Sequence, residues 1–224
     1  MLKVKILLRS YLQLFFQNFL YLTMLFGMIV FGLTAEHLLG IGVNTKYSLL
    51  LVGMFLLSLF STMNLYYNDS RQNKYLKQKI ASSWADSCSQ FLTALIVNVF
   101  SGVLIFIFSL IFNTDFWQDT VGILTLVAVG LLGSAIATLC KTQWYSHPNL
   151  GQVGILIFIY LAFCGSVITV LSYAEWLYPP VSKLVMALRK SSITQLLPIT
   201  GQAFLYSIIL FVISGFIYKS KKKI

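Results

Sequence analysis

The sequence predicts an all-α, polytopic membrane protein, and three observations carry that prediction. Hydrophobic residues fill 58% of the 224 positions and charged residues only 10%, whereas an ordinary soluble domain is roughly half apolar and about a quarter charged. Mean hydropathy is +0.84. A chain so poor in charge cannot clothe a globular surface, so its apolar excess has to face lipid. Second, apolar runs of about 20 residues, the length that crosses a hydrocarbon core roughly 30 Å thick, recur along the chain. Third, the polar intervals between them alternate in charge.

The runs predict six spans, near 18–35, 48–67, 89–112, 120–140, 152–173 and 202–218. Residues 1–17 precede the first and mix Lys3, Lys5 and Arg9 with Leu2, Val4, Ile6, Leu7, Leu8, Leu12 and Leu14. That mixture predicts an amphipathic helix in the inner interface. The run from Phe19 to Thr34 has no A-x-A site behind it, so cleavage as a signal peptide is not expected. In the fourth run, Gly130, Ser134 and Thr138 repeat at small-x-x-x-small spacing, as do Gly133 and Ala137, which predicts close approach of helix backbones. Between the fifth and sixth runs, Tyr178-Pro179-Pro180 is followed by Val181, Leu184, Val185 and Leu188 at helical spacing, then by Pro198 and Gly201. Proline suits a first helical turn and breaks a helix interior. One or two short helices that dip into the outer interface are therefore expected across 174–201. The whole of 1–224 reads as a single transmembrane domain.

Charge sets the orientation. The N-terminal segment, residues 68–87, Lys141 and the tail from Lys219 to Lys223 hold twelve Lys and Arg; the intervening intervals hold four, Lys46, Lys183, Arg189 and Lys190. The positive-inside bias then places both termini in the cytoplasm. Trp117, Trp176 and Tyr178 fall at the outer ends of spans, and Trp144, Tyr145 and Tyr218 at the inner ends, as aromatic belts require. The net charge of +10 is spread over short intervals and not gathered on one water-exposed domain, so a nucleic-acid partner is not expected.

Motifs for chemistry are absent from the sequence. It has no G-x-x-x-x-G-K-[ST], H-E-x-x-H or G-x-S-x-G. His37 and His147 fall on opposite predicted sides and cannot share a metal. Cys88, Cys140 and Cys164 show no C-x-x-C spacing and read as reduced, small core residues. The six carboxylates, Glu36, Asp69, Asp86, Asp115, Asp119 and Glu175, sit in loops or at helix ends, which argues against a proton-driven carrier, since that needs ionisable groups or broken helices near mid-membrane. No catalytic, metal or cofactor residue is expected. Ser58, Ser61, Thr62, Asn64, Asn98, Ser101, Thr125, Ser166 and Thr169 lie within the spans and could line a modestly polar path, with Ser61, Asn64, Asn98 and Thr169 as candidates, or bond their own helix backbones.

The largest polar interruption is the basic interval 68–87. On a helix, Leu76, Ile80 and Trp84 fall on one stripe, with Arg71, Lys74, Lys77 and Gln78 mostly elsewhere. It is either a loop resting on lipid headgroups or a helix gripped by a protein partner.

This layout resembles the membrane subunit of bacterial ATP-binding-cassette (ABC) exporters of the six-helix, short-loop ABC-2 type, over nearly the whole chain. In that family an N-terminal elbow helix precedes the first span, a coupling helix between spans two and three docks on a separate ATPase, and short helices re-enter before span six. The resemblance implies that Lys3 to Phe16 is the elbow, Asp69 to Asp86 the coupling element and Tyr178 to Thr200 the re-entrant segment. Pro180 with Ala187-Leu188-Arg189 also looks like a weak family pattern. The family's acidic and Gly-Thr start of the coupling loop is missing; Ser70, Arg71 and Gln72 follow Asp69. By the resemblance, Asp69, Arg71 and Lys74 would make polar contacts to the ATPase, and Leu76, Ile80 and Trp84 would be buried there. It further implies a half-transporter in the bacterial plasma membrane, paired with a second permease half, identical or not. ATP and Mg would be bound by the partner chain, and an amphipathic peptide, antimicrobial or lipid-like cargo exported. A membrane enzyme, or an anchor or immunity protein that transports nothing, is the alternative.

Overall fold

The computed structural model describes residues 2–37, 43–67, 75, 82–112, 116–143, 148–164, 178–190 and 196–221. Among them the regular elements are helices: α1 (Leu2–Phe16), α2 (Phe19–His37), α3 (Val43–Tyr67), α4 (Ser83–Phe112), α5 (Phe116–Gln143), α6 (Pro148–Cys164), α7 (Val181–Lys190) and α8 (Leu196–Lys221). Four of these, α3, α4, α5 and α8, are long and apolar enough to cross a membrane, and a fifth span results if the bent pair α1–α2 is one. The all-helical, multi-span class expected from the sequence is therefore present. Of the expected run 152–173, the structure describes the part that ends at Cys164, as the 17-residue helix α6.

The core is built on α5. Its span window is 89% buried, against 39% for α4 and 33% for α8, because its small residues let neighbours approach on several sides. A Cβ on Gly133 would stand 2.6 Å from the Phe55 carbonyl oxygen, and one on Gly130 would collide with the Asn98 side chain. The small-residue stripe read from the sequence is thus the seam where α3 and α4 meet α5, with Ser134 one turn beyond Gly130.

Cross-helix pairs fix the directions. Tyr47 meets Asp119 and Thr62 meets Ser134, so α3 and α5 run parallel. Thr125 meets Thr200 and Thr142 meets Ser214, so α8 runs the same way. Helix α4 runs against all three: Ser109 meets Asp119, while Asn98 meets Ser134 farther along, and Trp84 and Phe91 stack on Phe216 and Phe211 of α8. Helices α3, α4 and α5 therefore alternate in direction, and α8, which follows α5 after α6 and α7, runs parallel to it. Large apolar side chains such as Phe26, Leu156, Leu205 and Ile209 face outward.

Three details add to or depart from expectation. Helix α1, expected as an amphipathic helix over 1–17, packs along α4 through Leu7, Tyr11 and Phe15, each at most 2% exposed. Its end reaches the middle of α4, where Phe16 stacks on Phe100 at 5.2 Å. The chain then turns by 63° into α2. Asn18 caps the new helix by accepting from the Leu20 N–H at 3.1 Å, which satisfies one of the orphan donors of a first turn. Second, the helix of the third span begins at Ser83 and not near 89, since Ser82 serves as its N-cap through the Ala85 N–H at 3.3 Å. Third, Pro198 does not break a helix: it lies in the first turn of α8, where a missing N–H removes no intrahelical bond, and α8 continues through Gly201 to Lys221. Among the described residues one short helix, α7, precedes it. The Pro180 carbonyl accepts its first i+4 bond, from Leu184 at 3.1 Å, and Val181, Leu184 and Leu188 are buried where α7 meets α3, α6 and α8.

Candidate functional site

Three clusters of polar residues link the described helices, besides isolated pairs such as Thr125–Thr200 and Thr142–Ser214. The central one joins α3, α4 and α5. The Ser58 hydroxyl donates to Asn98 Oδ1. Asn98 Nδ2 donates to the Ala94 carbonyl at 2.7 Å and to Ser134 Oγ at 3.3 Å, and Thr62 donates to Ser134 Oγ at 3.1 Å. All four side chains are at most 4% exposed. In an apolar surrounding each unmade bond would cost the desolvation of its group, so the cluster sets the register of the three helices.

The second cluster lies where α4 begins. The Tyr11 hydroxyl donates to Asp86 Oδ1 at 2.5 Å, with both residues buried. Asp86 sits in the first turn of α4, where the helix dipole favours negative charge. A cavity of about 10 Å³ adjoins it, lined by Tyr11, Thr62, Thr93, Gln90 and Thr138 among others; that is the size of about one water. Nearby, Trp84 stacks edge-on against Phe216 of α8 at 5.5 Å. The start of α4 is thus fastened to α1 on one side and to α8 on the other.

The third cluster lies at the opposite end. Tyr47 and Ser109 donate to the two oxygens of Asp119, a carboxylate 0% exposed. Lys46 is also buried, its ammonium 5.6 Å from the Tyr47 ring centroid.

Of the candidates for a path, Asn98 lies in the central cluster. Asn64 instead donates to Asn18 at the α1–α2 break, at 2.9 Å. Ser61 is 0% exposed and is the one buried side-chain oxygen without a hydrogen-bond partner among the described residues. Thr169 lies outside the described residues. So do Asp69, Arg71, Lys74, Leu76 and Ile80 of the coupling interval. Trp84 is described, on α4 itself and 51% exposed, so its apolar contact within the chain is to Phe216. Cys88 is exposed, where a core position was expected, and Cys140 is buried; all three cysteines are free thiols. No group of three His, Cys, Asp or Glu able to hold a metal occurs among the described residues.

Sequence reasoning missed both tyrosine–carboxylate pairs. A carboxylate at a helix start is visible in the sequence, but the tyrosine that meets it is 75 or 72 positions away, and no periodicity encodes that distance. No family model, curated protein or solved structure matches the chain.

Proposed function

We propose that this chain is the permease subunit of an ATP-binding-cassette exporter in the bacterial plasma membrane, with six spans and both termini cytoplasmic. It would form half of the transmembrane pathway with a second permease half. A separate ATPase binds ATP and Mg and docks on the basic interval 68–87, and the cargo is an amphipathic peptide, antimicrobial or lipid-like molecule. The observation that carries this reading is the fastening of the α4 start. The interval runs directly into Ser82 and α4, whose first turn is bonded to α1 through Tyr11–Asp86 and stacked on α8 through Trp84–Phe216. A displacement of the interval would be shared by three helices at once. An ATPase that prefers one of two arrangements of those helices would couple its cycle to the pathway.

Trp84 has a contact of its own within the bundle, so the docking test belongs on Leu76 and Ile80. The ATPase encoded beside this gene should co-purify with the wild-type chain and be lost from Leu76→Asp/Ile80→Asp. An ATPase that stays bound to the double variant removes the docking assignment. Cargo movement in cells stripped of every cassette ATPase removes the exporter reading and leaves the anchor or immunity alternative.

A further inference from the structure

The charge left on the outside of the described bundle is of one sign. The two carboxylates whose side chains are described, Asp86 and Asp119, are turned inward onto Tyr11 and Tyr47. The exposed charged side chains among the described residues are Lys3, Lys5, Arg9 and Lys219. All four belong to one end of the bundle. Tyr11 meets Asp86 in the first turn of α4, and Lys3, Lys5 and Arg9 precede Tyr11 on α1, whose other end climbs to Phe100. Lys219 lies three residues past Phe216, which stacks on Trp84 in that same first turn of α4.

The exposed Trp84 marks the level at which an amphipathic ring sits in a bilayer interface. With Trp84 at that level, the four cations at the same end of the bundle would reach the depth of phosphate groups. Helix α1 cannot roll to withdraw its cations, because Leu7, Tyr11 and Phe15 hold its opposite edge on α4. Its outward face also carries Ile6 and Phe16, so aliphatic stems and apolar side chains sit in the acyl layer while the charges reach outward.

From this we infer that the outward face of α1, with Lys219, is a docking surface for the headgroups of anionic phospholipids in the leaflet at that end, and that the chain selects such lipids over zwitterionic ones. The inference rests on the multi-pass membrane reading and needs no cassette partner, so its test is independent of the exporter proposal.

The full chain is reconstituted in vesicles containing spin-labelled phosphatidylglycerol or phosphatidylcholine, and the protein-bound fraction of each label is measured. Wild type should retain more phosphatidylglycerol than phosphatidylcholine. Attraction to an anionic surface is worth about fivefold per exposed cation, so Lys3→Gln/Lys5→Gln/Arg9→Gln should abolish most of the preference. Glutamine is a good helix former, and an unchanged bound fraction of phosphatidylcholine reports that the fold is intact. Lys183→Gln, on α7 and away from this end, should keep the preference. Equal retention of both lipids by wild type, an undiminished preference in the triple variant, or an equal loss in Lys183→Gln, which would make net charge the cause, each overturns the inference.

Discussion

Gly133 faces the Phe55 carbonyl so closely that any side chain would have to move backbone, and a helix backbone in a packed bundle does not yield cheaply. Gly133→Val should therefore lower stability by about 1–3 kcal/mol or more, measured by reversible unfolding in mixed micelles; a value near zero would mean that α3 and α5 do not pack at this point. Asn98 makes a different kind of contact. Replacing it with Leu strands the Ser58 hydroxyl and leaves Ser134 Oγ with Thr62 as its cross-helix donor, and hydrogen bonds between membrane helices contribute about 0.6–2 kcal/mol. Asn98→Leu should cost about that much in the same assay. A variant that is stabilised would show that the central cluster serves something other than stability. The pattern of small residues was readable in advance because a four-residue spacing is local. The partner that each small residue admits was not.

At the scale of one element, α1 gives the clearest case. Its composition reads as an interfacial helix, yet Leu7, Tyr11 and Phe15 recur every four residues and form an edge that α4 covers. One bond, Tyr11 to Asp86, adds direction to that edge. Tyr11→Phe leaves the aromatic packing and removes the donor, so a buried carboxylate loses a partner at a cost of about 1–3 kcal/mol. A cysteine at Leu7, protected from thiol reagents in the parent, should then label measurably faster. If the rate is unchanged, apolar packing alone holds α1. Helix α8 teaches the complementary point: Pro198 reads as a helix breaker, but in a first turn its missing N–H removes nothing. Its place as the third residue of α8 decides the outcome.

For the molecule as a whole, the alternation of helix directions and the one-sided charge make a joint prediction. In a chain freed of the exposed Cys88 thiol, a cysteine at Gln118 should label from outside intact cells and one at Gln78 only after permeabilisation. The reverse pattern would overturn the orientation and, with it, a cytoplasmic ATPase on the basic interval. The helical class, the approximate positions of the four long helices α3, α4, α5 and α8, and the uneven spread of cations along the chain were legible in the sequence, because hydropathy, small-residue spacing and Lys or Arg counts are properties of neighbouring residues. By itself, then, the sequence determined that this is an oily helical chain whose polar groups are too few to cover it and whose cations gather in alternate intervals. Only the tertiary structure decided that α5 is the centre, that α1 leans on α4, and that the carboxylates of α4 and α5 each close on a distant tyrosine. Those choices depend on which helices become neighbours, and that is set by packing between segments more than 70 residues apart, a separation that no local pattern encodes.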